Sequence, residues 1–173
     1  MKKFLLPCLL FLLSATFVSA QTPYTSGPDE KHPEVTILNG IISKYILLNN
    51  VAFTWYPSSQ SSYTPGTELI NALEKAKGKF QFIVFGGTWC EDTQYVLPKF
   101  FKWQELSGFP DEAISFFGVN RAKKTLGHIA DAFNITNVPT IIVMKDGKEV
   151  GRVIEYGKYG QIDKDLGEIV SAL

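Results

Sequence analysis

Hydrophobic positions along the chain follow two periods. Leu69, Ile70, Leu73 and Ala76 share one helical face, with Thr67 suited to cap the start and Gly78 to end the helix. Ile162, Leu166, Ile169, Val170 and Leu173 recur at the same spacing and predict a final amphipathic helix that covers a sheet. After Cys90 a third helix is expected, with Val96, Leu97, Phe100, Phe101 and Trp103 as its apolar side and Pro98 interrupting the pattern. A short helix is predicted over Thr125 to Phe133. Shorter runs read as strands: Val51 to Tyr56, rich in β-branched and aromatic residues and ending at Pro57, then Phe80 to Phe85 and Ala113 to Val119. A polar loop, Pro57 to Gly66, follows the first of these. Thr140 to Met144 and Glu149 to Tyr156 flank Lys145-Asp146-Gly147-Lys148, where Asp-Gly supplies the positive φ of a tight hairpin turn. The order β-α-β-α-β-α-β-β-α, without internal repeats, predicts an α/β fold with a mixed sheet and helices on both faces.

Before the first of these elements the pattern changes three times. Lys2 and Lys3 precede an apolar run from Phe4 to Leu13, and Val18-Ser19-Ala20 offers small residues for cleavage, so residues 1–20 read as a secretory signal peptide. The run is shorter than the ~20 residues that span a bilayer, and no membrane span is expected in the mature chain. Residues 21–34 are rich in Pro, Ser, Thr, Gly and charge and read as a flexible leader. In the N-terminal extension, residues 35–50, Val35 to Ile42 fits a small hairpin turning at Asn39-Gly40, followed by a helix capped by Ser43 and running to Leu48. One continuous helix fits nearly as well. The main domain is placed at 51–173.

Composition narrows the function classes. With 45% hydrophobic and 20% charged residues in 173, the chain is long enough for one globular core and is not disordered or fibrous. Basic and acidic residues balance at 17 each, and loss of Lys2 and Lys3 with a signal peptide leaves a mildly acidic chain, so no global field favours nucleic acid. Cys8 would leave with the signal, which strands Cys90 as a lone thiol in a compartment where disulfides are permitted. One cysteine and the scattered His32 and His128 provide no metal-ligand spacing, and no cofactor is expected. Lys123-Lys124 reads as a solvated turn, His128 as structural or solvated, and Trp55 and Trp103 as core.

Cys90 carries the candidate chemistry. It follows a strand ending in Gly86-Gly87-Thr88-Trp89 and opens a helix, where free backbone N–H groups and the helix dipole favour an anion. The thiolate is the nucleophile of disulfide exchange. Thr93 falls in the first helical turn, within reach of the sulfur or of a free backbone group, while Glu91 and Asp92 stabilise the helix start and place negative charge beside the thiol. Trp89 covers the sulfur or packs.

The segment Trp89-Cys90-Glu91-Asp92-Thr93 resembles the thioredoxin motif Trp-Cys-x-x-Cys, with threonine at the second cysteine. Pro98 lies where thioredoxins bend the active-site helix, and Asn137-Val138-Pro139-Thr140 followed by an apolar strand and Lys-Asp-Gly looks like their cis-proline loop and hairpin. The chain is also similar to exported bacterial thioredoxin-like proteins carrying Gly-Thr-Trp-Cys-x-Asp-Ser/Thr. The resemblance covers about Val51 to Leu173 and implies a thioredoxin-like fold. It also implies Cys90 and Thr93 at the catalytic positions, Trp89, Val138 and Pro139 at a substrate groove, and Glu91 and Asp92 as modulators. Partners would be disulfide- or thiol-containing proteins or small thiols, in the periplasm, the cell envelope or the medium. Two departures stand out: the resolving thiol is Thr93, and the buried carboxylate that assists it falls at Val84. The chain therefore reads as a thiol-disulfide oxidoreductase without a resolving cysteine, its mixed disulfide released by an external thiol or by the partner's second cysteine. The alternative is a non-catalytic peptide-binding module in which Cys90 is vestigial.

Overall fold

The computed structural model describes residues 22–173, so the signal-peptide reading lies outside the described residues. Its elements are β1 (Tyr24–Pro28), β2 (Thr36–Ile42), α1 (Lys44–Leu48), α2 (Trp55–Ser62), α3 (Thr67–Ala76), β3 (Gln81–Gly86), α4 (Glu91–Ser107), β4 (Ile114–Gly118), α5 (Ile129–Ala132), β5 (Thr140–Lys145), β6 (Lys148–Ile154) and α6 (Ile162–Ser171). The strands form a six-stranded mixed sheet ordered β1-β2-β4-β3-β5-β6. Only β3 and β4 are parallel; the other four pairings are antiparallel.

Period-two alternation in the central strands divides the core between the two faces. Phe82 and Val84 of β3, with Ile141 and Val143 of β5, pack with Val96, Leu97, Phe100 and Phe101 of α4. Phe85 and Ile142 face the opposite way and pack with Ala130, Ile135 and Val138. The spacing read from α3 and α6 holds: Leu69, Leu73, Ile162, Leu166 and Val170 are all buried, and the two helices lie together. Helix α4 is long despite Pro98, which removes only the bond to the Gln94 carbonyl, and it stops at Gly108 in the left-handed conformation (φ 59°). At the β5–β6 turn Asp146 and Gly147 have φ of 51° and 75°, as the Asp-Gly pair predicts.

Six expectations are corrected. Val51 to Tyr56 is not a strand: Val51–Phe53 is a 3-10 turn and α2 begins at Trp55. Its β-rich composition reports fit to a half-buried surface, and here Phe53 and Tyr56, three apart, supply that fit from helical turns while Val51 is 91% exposed. Pro57 sits in the first turn of α2, where its missing N–H costs nothing, and the expected polar loop is helical to Ser62. The leader is not featureless, since β1 pairs with β2 through backbone groups that an apolar period does not report. Asn39-Gly40 is no hairpin turn: β2 runs straight through it, and Gly40, at φ 122°, is there because a Cβ would lie 2.4 Å from the Pro23 carbonyl oxygen. Ser43 does precede a helix, as the first of the two readings has it. The helix expected over Thr125 to Phe133 is broken, because the 3-10 turn Leu126–His128 that precedes α5 holds Gly127 and His128 at positive φ. At α3, Gly66 takes the cap position and Thr67 is the first helical residue.

Candidate functional site

The site forms where β3 gives way to α4. Gly86 and Gly87 let two groups close on the strand end. A Cβ on Gly86 would lie 2.7 Å from Leu97 of α4, and one on Gly87 would lie 2.7 Å from the Trp89 indole. Thr88 is buried and ties this turn to the N-terminal strands: its hydroxyl donates to the Thr36 carbonyl (2.7 Å) and accepts from the Leu38 N–H (3.2 Å). Trp89 is fixed by donation from Nε1 to the Val119 carbonyl (2.9 Å).

Cys90 is the N-cap residue of α4 and is half-buried. Its N–H donates to the Gly87 carbonyl at 2.9 Å, and its thiol donates to the Val138 carbonyl at 3.3 Å. The Val138–Pro139 peptide is cis, and both residues are buried. Their loop is tied down on three sides. Thr140 Oγ1 donates to the Asn137 carbonyl (2.7 Å), Asn137 Nδ2 donates to Glu155 Oε1 (2.8 Å), and the Glu155 N–H donates to the Pro139 carbonyl (2.7 Å).

Thr93 is buried, and of the two partners open to its hydroxyl the backbone is the one engaged: Oγ1 accepts from the Gly87 N–H at 3.2 Å. It thereby holds the turn that presents Cys90. Glu91 is exposed. Asp92 accepts from the Tyr156 hydroxyl at 2.6 Å, and that carboxylate pushes the Tyr156 phenol up to about 12. Val84 is completely buried in apolar surroundings; the buried acids among the described residues, Asp29 and Asp165, lie outside β3.

Several contributors have no local signal. Gln94 Nε2 donates to the Thr88 carbonyl (2.9 Å), closing the first turn of α4 over the preceding loop. The Arg121 guanidinium carbon lies 5.0 Å from the centre of the Trp89 ring, and Lys123 Nζ 5.6 Å from it, so Lys123 faces the indole instead of standing in a purely solvated turn. Arg121 Nε donates to Asp29, whose other oxygen accepts from the N–H groups of Lys31 (2.8 Å) and His32 (3.1 Å). Burial pushes the Asp29 carboxyl up, but these donors outweigh it and hold it below the usual range. His128 is exposed beside Asp131, and Trp103 is buried in the core with Trp55 packed against it. Among the described residues, no three His, Cys, Asp or Glu side chains are placed to hold a metal, and no helix is long and apolar enough to cross a membrane.

A strand-to-helix turn presenting a half-buried thiol against a proline loop, at the end of a mixed sheet with helices on both faces, defines a thioredoxin-like fold. The chain is 29% identical over 84 residues to a thioredoxin H-type of Oryza sativa subsp. indica, covering 47% of this chain and 64% of the relative. It is 27% identical over 94 residues to thioredoxin H2-2 of Oryza sativa subsp. japonica, covering 54% and 65%. The match thus spans a little under two-thirds of these relatives' length. A crystal structure of a protein of unknown function from Pseudomonas aeruginosa superposes with a TM-score of 0.50 at 16% identity, covering 75% of this chain and 90% of that one. No family model matches. The similarity to the two rice proteins agrees with the thioredoxin-like fold read from the geometry.

Proposed function

We propose that the protein is an exported thiol-disulfide exchange protein acting through the single thiol of Cys90. The observation that carries this is the half-buried sulfur at the start of α4, 3.3 Å from the Val138 carbonyl and flanked by the fixed Trp89 ring. A backbone segment laid beside Val138 in strand-like fashion brings a disulfide to that sulfur. The Cys90 thiolate attacks one sulfur of the substrate, the Cys90–substrate bond forms as the original S–S bond breaks, and the departing thiolate takes up a proton. The second exchange is made by an external thiol or by the partner's own second cysteine, which regenerates the Cys90 thiol and leaves the disulfide between the two other sulfurs. Thr93 takes no part in that step, since a hydroxyl supplies no thiolate; its oxygen instead accepts from the Gly87 N–H.

Export rests on Lys2, Lys3, the apolar run from Phe4 and the small residues to Ala20, with the periplasm or cell envelope, or the medium, as destination. Mass spectrometry of the protein from its native compartment should find a chain beginning at Gln21. The exchange reading is tested by trapping: wild type incubated with a disulfide-bonded protein should accumulate mixed disulfides that Cys90→Ala does not form. Wild type behaving as Cys90→Ala, with Cys90 resistant to alkylation and peptide binding intact, refutes exchange in favour of a non-catalytic binding module.

A further inference from the structure

We infer that Trp89, Arg121 and Lys123 form a carboxylate-recognition subsite that selects substrate peptides with an acidic side chain next to the reactive cysteine. This deepens the exchange reading and rests on it for the identity of the substrate. The sheet order provides the geometry. Cys90 follows β3, and β3 lies between β4 on one side and β5–β6 on the other. The loop after β4 carries Arg121 and Lys123 against the Trp89 ring. The far side carries acids: Asp92 held by Tyr156 beyond β6, and Glu155 held by Asn137. A peptide crossing the end of the sheet over Cys90 therefore passes from a cationic flank to an anionic one.

Arg121 is prepared for an anion. Its Nε is committed to Asp29, a carboxylate with 1% relative exposure that two backbone N–H groups already saturate on its other oxygen. The two terminal nitrogens have no hydrogen-bond partner among the described residues, and the side chain is 40% exposed. An arginine anchored through Nε presents the remaining edge of a planar fork whose spacing matches a carboxylate. The same residue lines a cleft of about 490 Å³ with Thr25, Asp29, Glu30, Lys31 and Asn120, which leaves room beside the guanidinium for a peptide side chain. Lys123, at φ 59°, adds a second cation over the same indole without occupying the fork. Because Trp89 immediately precedes Cys90 and its ring is pinned to Val119, a carboxylate caught on this flank sets the register of the adjoining disulfide.

The test uses the mature chain and matched peptides that differ only in Glu, Gln or Lys beside one cysteine. In a Cys90→Ala background, binding of the serine form of each peptide is read directly; with Cys90 present, the same peptides as disulfides report the rate of mixed-disulfide formation. The Glu peptide should be preferred over Gln by about three- to tenfold, the range for a partly exposed charge-assisted pair. The preference should shrink with added salt. It should vanish in Arg121→Gln/Lys123→Gln, and Arg121→Lys should recover only part of it, since an ammonium keeps the charge but not the fork. No preference for Glu, or a preference that survives the double substitution, overturns the subsite. Acid-selective binding in the Cys90→Ala protein, with no exchange when Cys90 is present, upholds the subsite and refutes the exchange reading alone.

Discussion

Replacing Thr93 by cysteine separates the structural duty of this position from the redox duty it lacks. Thr93 has 1% relative exposure, and its hydroxyl is the acceptor for the Gly87 N–H at 3.2 Å. Its methyl group packs at the strand end, where a Cβ on Gly86 would come within 3.0 Å of it. A cysteine gives up the methyl, about 0.8 kcal/mol, and replaces a good acceptor by a weak one, which leaves a buried N–H poorly satisfied at about 1–3 kcal/mol. Reduced Thr93→Cys should therefore be about 1–3 kcal/mol less stable than wild type in urea unfolding. Thr93→Val, which keeps the shape but not the hydroxyl, should fall in the same range, and Thr93→Ser should lose about 1 kcal/mol or less. Oxidation tests the other duty. A sulfur one helical turn from Cys90 should form an internal disulfide, seen as loss of both free thiols on alkylation, and should speed reduction of a disulfide-bonded protein by releasing the mixed disulfide. Recovery should be partial, because Val84 offers no proton acceptor. A Thr93→Val protein as stable as wild type, a cysteine variant without an internal disulfide, or a Cys90→Ala protein that reduces the same substrate as fast as wild type would each refute these two roles.

Two further outcomes follow from the contacts around Cys90. Gly87→Ala puts a Cβ 2.7 Å from the Trp89 ring, so the indole must swing away and lose its bond to Val119; a destabilisation of about 1–3 kcal/mol and a changed tryptophan emission should result, and an unchanged spectrum would contradict the packing. Tyr156→Phe removes the bond to Asp92: with the phenol raised from 10.0 to about 12, that bond contributes fully below the ordinary pKa and is lost as pH rises through the folded one. Alkaline absorbance titration should show one fewer late-ionising phenol in the variant, and because the pair is exposed its loss should cost less than about 1 kcal/mol at neutral pH.

What could be read from sequence was what repeats locally. The helical faces of α3, α4 and α6 and the Asp-Gly turn each occupy a few consecutive residues whose spacing is itself the signal. The thiol at a strand-to-helix junction is equally local, and the structure sets its sulfur against Val138. Contacts that cross the chain left no such trace. Asp29 meets Arg121 across 92 residues, Tyr156 meets Asp92 across 64, and Thr88 meets Thr36 across 52. Each is a polar side chain that looks like any solvated residue until the fold closes on it. Composition misled at Val51 to Tyr56, where burial at every third residue was disguised by side chains typical of strands. At Asn39-Gly40 a turn dipeptide serves a close strand approach instead of a reversal.

These long-range contacts also change what the N-terminal segment is for. A boundary at residue 51 would treat everything before it as an appendage, yet β2 pairs with β4 in the central sheet, and a Cβ on Gly118 would stand 2.4 Å from the Leu38 carbonyl oxygen. Leu38, Ile42 and Leu47 are all buried in the main core. At about 1.5–3 kcal/mol for each such side chain, their burial contributes roughly 5–9 kcal/mol, which is comparable with the whole stability of an ordinary domain. Lys44 extends the same attachment through its ammonium, which reaches Gln104 (2.6 Å), Asp111 (3.0 Å) and Glu105 (3.1 Å) near the end of α4. The segment is thus bound at both ends of the helix that Cys90 opens: Lys44 grips its last turns, and Thr36 and Leu38 grip the loop before its first through the Thr88 hydroxyl. The loop that presents the thiol to Val138 is thus braced by Thr36 and Leu38 of β2 as well as by Thr93 and Gln94 of α4, so β2 takes part in the site as well as in the sheet.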